Sequence, residues 1–457
     1  MSDFSQWPLR AELLDALTSQ GMTVPTPIQQ AALAEILAGR DVLAQAKTGS
    51  GKTLAFALGL LQGLKAPSGV QALVLCPTRE LADQVTQAIR KVAVRLPNVK
   101  VSAFYGGIPV RVHVESLVHE PAIVVGTPGR ILELIETGAL KLEAMNSLVL
   151  DEADRMLDMG FEPAIQAIRK GLPANYQTLL FSATFPDAVR ALSKSYQRDP
   201  LEILLDTDTR SEHIAQGFFE VPAYRKNDAL LQLLGQLQPA QALVFCNTKI
   251  DCQNVEQHLA KAGFDVCALH GDLEQRDRDE AMVRFQNASV RVLVATDVAA
   301  RGLDVSDLPL VFSYELAHQA DVHVHRVGRT GRAGKDGQAL ALVASGEMAR
   351  VKAIEEQMGM TARWQRLDLS SIKLAPLKAE WKTLVIDAGR KDKLRPGDIL
   401  GALTAKQAID GKAVGKIALF DTRSYVALHK SVADRALQLL RQDKIKGRSF
   451  RVRLPSP

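Results

Sequence analysis

The chain has 457 residues, of which 47% are hydrophobic and 23% charged, and a formal net charge of +5. That length is too great for one compact core and suits about three domains, while the composition excludes a disordered or fibrous chain. No run approaches the roughly 20 apolar residues that span a bilayer. The opening MSDFSQWPLRAELLDALTSQG lacks the basic start and apolar run of a signal peptide, so a cytoplasmic protein is expected.

The first segment alternates short apolar runs with helical patterns. Strands are expected at residues 41–46 (DVLAQA), 72–76 (ALVLC), 101–105 (VSAFY), 122–126 (AIVVG), 147–151 (SLVLD) and 178–182 (TLLFS). Continuous apolar runs of this length suit strands buried on both faces of a parallel sheet. Between them, stretches such as RELADQVTQAIRKVAVRL place apolar residues at helical spacing.

Ala46-Lys47-Thr48-Gly49-Ser50-Gly51-Lys52-Thr53 directly follows the first of these strands. It departs from the phosphate-loop pattern G-x-x-x-x-G-K-[ST] only by Ala46 at the first glycine. Glycines let backbone N–H groups turn toward phosphate oxygens, and the helix N-terminus adds partial positive charge. Lys52 suits the β- and γ-phosphates of ATP, and Thr53 suits Mg²⁺. Asp151 ends an apolar strand, where its carboxylate can reach the same Mg²⁺. Glu152 is the candidate to orient or deprotonate the attacking water. Phosphoryl transfer also needs positive charge on the transferring group.

The second segment repeats the scheme, with strands expected at residues 242–246 (ALVFC), 266–270 (VCALH), 290–296 (VRVLVAT), 310–316 (LVFSYEL) and 339–344 (ALALVA). Both segments read as α/β domains with helices on both sheet faces. Apolar-poor DTDTRSEH (residues 206–213) reads as the linker between them. Here lie Arg329 and Arg332, three apart and so on one face of a helical turn. They are the candidates for the missing positive charge. The four cysteines (Cys76, Cys246, Cys252, Cys267) show no metal-ligand spacing and imply a reduced interior.

The third segment holds TLVIDAG, RKDKLRPGDILGAL, KIALF, SYVALHK, ADRALQLLRQ and SFRVRL. Their order, β-α-β-β-α-β, suits a small split βαβ sheet, the topology of RNA-recognition modules. From Pro376 onward there are 18 Lys plus Arg against 8 Asp plus Glu, a net of +10, whereas the rest of the chain carries −5. A basic module on a near-neutral body points to a polyanion-binding appendage. Lys391, Lys393 and Arg395 crowd the start of a helix, and Lys446 and Arg448 form a second cluster. Tyr425 lies on a strand and is either a base-stacking platform or a cross-strand core residue. No G-F-x-F-V run is present, which counts against base stacking on the sheet face.

Across residues 1 to about 365, these segments resemble the DEAD-box RNA helicases, a family named for the tetrad Asp151-Glu152-Ala153-Asp154. Residues 21–29 (GMTVPTPIQ) resemble the Q motif, with its upstream aromatic at Phe4. The other motifs follow in order: residues 46–53, PTRELA (77–82), Gly106-Gly107, TPGR (127–130), DEAD and SAT (182–184). In the second segment come VFCN (244–247), Gln275 with Arg278, ATDVAARGLD (295–304) and HRVGRTGR (325–332). The resemblance implies two tandem RecA-like domains, residues 1–207 and 214–365, followed by an RRM-like α+β domain at 377–457. It implies an RNA-stimulated ATP hydrolase that opens short RNA duplexes locally.

By this resemblance, Thr26 and Gln29 read the adenine, and Asp304 contacts the ribose. Phe4, Thr48, Gly49, Ser50, Gly51, Lys52 and Thr53 complete the nucleotide site. Catalysis falls to Lys52, Asp151, Glu152, Arg329 and Arg332. Ser182 and Thr184 link hydrolysis to RNA release through Asp154 and His325. RNA contacts fall on Thr78, Arg79, Gly107, Thr127, Gly129 and Arg130, then on Asn247, Thr248, Gln275, Arg278, Thr296, Arg301 and Gly302. Hydroxyls, loop N–H groups and arginines suit phosphates and sugars, hence sequence-independent binding.

The third segment resembles the RNA-binding domain of one bacterial group in this family. That group targets a 23S ribosomal RNA hairpin in large-subunit (pre-50S) assembly. Lys391, Lys393, Arg395, Tyr425, Lys446 and Arg448 are its candidate contacts here. A monomer is expected. The alternatives are a general RNA chaperone without a fixed target and a non-catalytic RNA-binding scaffold.

Overall fold

In the computed structural model, the apolar runs become strands walled in on both faces. Residues 3–46, 49–65, 69–204, 214–300, 308–331, 336–370, 375–405 and 408–455 are described. The first sheet consists of β1 (Val42–Gln45), β2 (Ala72–Leu75), β3 (Val101–Phe104), β4 (Ile123–Gly126), β5 (Ser147–Asp151), β6 (Gln177–Ser182) and β7 (Leu201–Leu204). All neighbours run parallel in the order β3-β4-β2-β5-β6-β1-β7. Successive residues of β2 feed opposite cores, as strand geometry requires. Val74 packs with Phe56, Ile28 and Phe181 on one face, and Leu73 and Leu75 pack with Ile131 and Leu150 on the other.

A second unit repeats this wiring. Its strands are β8 (Ile214–Glu220), β9 (Ala242–Cys246), β10 (Val266–Leu269), β11 (Val292–Thr296), β12 (Leu310–Ser313), β13 (Gly337–Val343) and β14 (Trp364–Gln365). Their order, β10-β11-β9-β12-β13-β8-β14, is the first order displaced by seven strands, and again every pair is parallel. The sequence reading missed β7, β8 and β14. β7 and the first half of β8 are only partly buried, so their apolar pattern is broken.

The same unit carries a third sheet, antiparallel, in the order β16-β17-β15-β18. It comprises β15 (Trp381–Ile386), β16 (Val414–Leu419), β17 (Ser424–His429) and β18 (Val452–Arg453), with helices Pro396–Thr404 and Lys430–Gln442 in the expected β-α-β-β-α-β order. Leu384, Ile386, Val426 and Leu428 pack on those two helices. The opposite face closes on the helix Gln275–Gln286, where Val283, Val385 and Tyr425 form one buried cluster. Around it, the Thr383 hydroxyl accepts from the Asn287 amide at 2.9 Å and donates to Ser289 Oγ at 2.8 Å. Arg453 pairs with Glu280 at 3.2 Å. Leu377, at the start of the expected third domain, is fully buried in the core of the second sheet.

Among the described residues, no helix is long and apolar enough to cross a membrane. All four cysteines are buried and free.

Candidate ATP site and RNA-facing loops

β1 hands over to a loop that opens the helix Lys52–Gly63. Gly51, just before the helix, has φ 95, a conformation that costs glycine little. A Cβ there would overlap Gln29 Nε2 and the Thr26 side chain. Gln29, in the helix Pro27–Leu37, is 3% exposed. Its Nε2 donates to the Gly51 carbonyl at 2.9 Å, while its Oε1 accepts from the Thr26 N–H at 2.9 Å. Gln29 thus ties the phosphate-loop candidate to the helix that holds the Q motif.

Lys52 Nζ lies 2.6 Å from Asp151 Oδ1 and 3.7 Å from Glu152 Oε1. Burial works against the ammonium, but the carboxylates outweigh it and hold its pKa above the ordinary lysine value. Burial likewise lifts the Asp151 carboxyl against the pull of Lys52. Beside this pair, three buried polar atoms, Thr26 Oγ1, Ser50 Oγ and Asp151 Oδ2, make no hydrogen bond to described residues. Native interiors rarely leave such atoms unmatched, so the cluster is shaped for a polar ligand. Its charges, one ammonium and a carboxylate at a strand end, fit a phosphate chain with a divalent cation. Glu152 adopts φ 55. For a non-glycine residue this costs about 1–3 kcal/mol, and such strain collects at functional sites.

Asp154 sits one residue into the helix that Glu152 begins. Its Oδ2 accepts from Thr184 Oγ1 at 2.9 Å, Thr184 N–H at 3.0 Å and Ala183 N–H at 3.2 Å. The Asp154 N–H in turn donates to Ser182 Oγ at 3.2 Å. DEAD and SAT are therefore one hydrogen-bonded unit across the ends of β5 and β6. The nucleotide candidates Gly49 and Thr53 flank this site on the same loop and helix. Phe4 is different: its ring is 4% exposed and packs near Trp7 at 6.0 Å, in the core. It presents no open stacking face. Thr48, Arg301, Gly302, Asp304 and Arg332 lie outside the described residues.

The expected RNA contacts occupy matching places in the two units. Thr78 follows β2, and Thr248 follows β9. Each caps the next helix, accepting from Leu81 N–H at 3.2 Å and from Asp251 N–H at 3.1 Å. Gly107 follows β3, as Gln275 and Arg278 follow β10. Thr127 and Gly129 follow β4, as Thr296 ends β11. The C-terminal strand ends of parallel sheets are where such folds bind ligands. Arg130 turns inward, with its Nη1 donating to the Ile108 carbonyl at 2.8 Å.

Asn247 donates to the Leu316 carbonyl at 2.9 Å, and its Oδ1 accepts from Arg326 Nη2 at 2.7 Å. Arg326 is a hub of this region that the sequence does not single out. It is 1% exposed, pairs with both Asp297 oxygens at 2.7 and 2.6 Å, donates to the Glu315 carbonyl at 2.6 Å, and lies over the Phe245 ring at 5.2 Å. One side chain thus joins VFCN, ATD and HRVGR. Only its place beside His325 hinted at this. His325 itself is half-buried on the same helix, and Arg329, just past its end, is 5% exposed.

In the third domain, Lys391, Lys393, Arg395, Lys446 and Arg448 are all exposed. Tyr425 is corrected: it is 1% exposed against Val283, so the sheet face offers it no base.

A phosphate-loop site with a strand-end carboxylate, followed by a second sheet of identical wiring, defines a tandem nucleoside triphosphatase of helicase type. Family comparison agrees. The DEAD/DEAH box helicase family matches residues 26–192, the helicase conserved C-terminal domain 225–334, and the DbpA RNA binding domain 383–454. The chain belongs to the DEAD-box ATP-dependent RNA helicases, and its third domain is of the DbpA RNA-binding type. It is 51% identical over 442 residues to the ATP-dependent RNA helicase DbpA of Escherichia coli, covering 96% of both chains. It is 41% identical over 358 residues to the ATP-dependent RNA helicase CshA of Listeria monocytogenes, covering 78% of this chain and 69% of that one. Among solved structures, S. cerevisiae Dbp5 bound to RNA and ADP BeF3 aligns with a TM-score of 0.72 at 29% identity, over 81% of this chain and 96% of that chain.

Proposed function

We propose that this ATP-dependent RNA helicase acts on ribosomal RNA in the cytoplasm, directed by its third domain to a 23S rRNA hairpin during large-subunit assembly. The observation that carries the reading is the convergence of two basic clusters. Lys446 Nζ donates to the Lys393 carbonyl at 3.0 Å and lies 3.6 Å from Asp398. The loops that carry Lys391, Lys393 and Arg395 and those that carry Lys446 and Arg448 therefore meet, with all five basic side chains exposed. Both Lys393 (φ 61) and Lys446 (φ 53) hold left-handed backbone. Glycine would adopt that backbone more cheaply, so lysine at both places is consistent with a demand for charge. The 51% identity to a DbpA supports the same reading.

At the ATP site, Mg²⁺ bound with the nucleotide would be held by Asp151 and Thr53 and would neutralise phosphate charge. Lys52 would exchange Asp151 for the phosphates, and Glu152 would accept a proton from the attacking water. Arg329 and Arg332 would meet charge developing on the transferring group, a contribution of about 10³ to 10⁵ in rate for such arginines. The combined charge reversal K391E/K393E/K446E tests the targeting. The reading expects loss of hairpin preference while ATP hydrolysis driven by unrelated RNA persists. Retained preference would favour a helicase without this fixed target.

A further inference from the structure

The Gly106–Gly107 turn is braced from below by a residue outside every motif. The helix Val110–Leu117 follows the turn and buries one polar side chain, His113, which is 4% exposed. Its ring stands edge-on to Phe104 at 5.1 Å and to Tyr105 at 6.4 Å. Its Nδ1 is 2.7 Å from Arg130 Nη1. A guanidinium has only donors, so Nδ1 accepts and the ring proton sits on Nε2. That Nε2 is buried and makes no hydrogen bond to described residues. Leaving a buried N–H unmatched is unfavourable, and it is the cost of turning the acceptor nitrogen toward Arg130.

The same Nη1 donates to the carbonyl of Ile108, the residue next to Gly107. Arg130 also pairs with Glu133 at 2.9 Å, which anchors it to its own helix. Above the turn, Gly107 has φ 84, and a Cβ there would overlap the Arg79 guanidinium. The turn is therefore held between two arginines, and His113 fixes the lower one. Burial, then the nearby Arg130 charge, push the imidazole pKa down to about 4. The ring is neutral, hence an acceptor, near neutral pH.

We propose that His113 is a positioning residue for RNA binding. By holding Arg130 against the Ile108 carbonyl, it sets the Gly106–Gly107 turn and the Arg79 guanidinium that lies over it for contact with RNA phosphates. The inference rests on the reading that Arg79 and this turn face RNA, and the test separates the two.

The test is ATPase activity of the full chain titrated with a single-stranded RNA, comparing H113F, H113Q, R130A, H113F/R130A and R79A. H113F keeps ring volume and removes the acceptor, while H113Q restores an acceptor oxygen. Losing a hydrogen bond to a charged group should raise the RNA concentration for half-maximal activity about tenfold in H113F. The maximal rate and the ATP half-saturation should not move. H113Q should return to within about threefold, and the double variant should be no worse than R130A alone, because the two side chains act in series. H113L is a second acceptor-free variant should phenylalanine disturb folding. Unchanged RNA half-saturation in both acceptor-free variants, or additive losses in the double, overturns the proposal. If R79A is also unchanged, the reading of this turn as RNA-facing is what fails.

Discussion

Tyr425 of the third sheet and Val283 of the second unit bury one another, together with Val385, on the face where an RNA-recognition module would otherwise stack bases. Phe420 meets the Tyr425 ring edge-on at 5.4 Å. Tyr425 is thus a docking residue. Y425L should leave hairpin affinity within about twofold, whereas Y425A should destabilise the unit by about 3 kcal/mol through the cavity it opens. Hairpin titration and urea unfolding of the two variants check this. A large affinity loss in Y425L would restore the stacking role.

Arg326 meets Asp297, Asn247, the Glu315 carbonyl and the Phe245 ring at once. R326A leaves Asp297 and the Asn247 carbonyl without their cation, and breaking a buried pair costs about 3–5 kcal/mol. R326K should not rescue it, because an ammonium cannot match the bidentate geometry toward Asp297. Denaturant unfolding and RNA-stimulated ATPase should fall together in both variants.

Thr184 gives Asp154 one of its three Oδ2 hydrogen bonds. T184V removes the hydroxyl and leaves both backbone donors, a loss of about 1 kcal/mol. ATP hydrolysis should stay within about fivefold of the wild-type rate. RNA strands separated per ATP should fall further than hydrolysis does. Equal losses in the two assays would show that Thr184 serves folding or hydrolysis alone.

His323 makes the second unit sensitive to acid. Burial, then Arg326, lower its pKa to about 4, and its ring stacks near Phe218 at 6.1 Å. The unfolded chain takes up the proton near the ordinary value of 6.5, and the folded chain only near 4. Between those values the unfolded state binds more protons, so stability falls as pH drops through the window, by up to about 3 kcal/mol. Comparing unfolding of H323F with wild type at pH 7 and pH 4.5 isolates this group. The variant should lose less stability on acidification.

The sequence exposed what repeats along the chain and concealed what is assembled across it. Buried parallel strands announced themselves as LVLC, IVVG or LVFC because both faces are covered. β7 and β14 did not, since most of their residues are exposed or only partly buried. Lys52 and Asp151 were legible because phosphate chemistry demands those groups at strand ends, and the link of Asp154 to Ser182 and Thr184 was legible through the family resemblance. Gln29 bonding to Gly51, Arg326 bonding to Asn247 and Asp297, and His113 holding Arg130 were not legible, because the partners lie 17 to 79 residues apart and each contact depends on side-chain direction. Tyr425 was ambiguous because a buried ring and a stacking ring share one strand pattern. Only the position of the helix Gln275–Gln286 decides between them.

In the proposed function, ATP hydrolysis by this helicase is governed by the RNA that its third domain recognises. The most direct measurement is the ATPase rate of the full chain titrated with a 23S rRNA hairpin fragment and with unrelated RNA of equal length, at one salt concentration. Half-saturation by the hairpin fragment should lie at least about tenfold lower, the usual sense of specific over non-specific binding. Coincident titration curves for the two RNAs would contradict it.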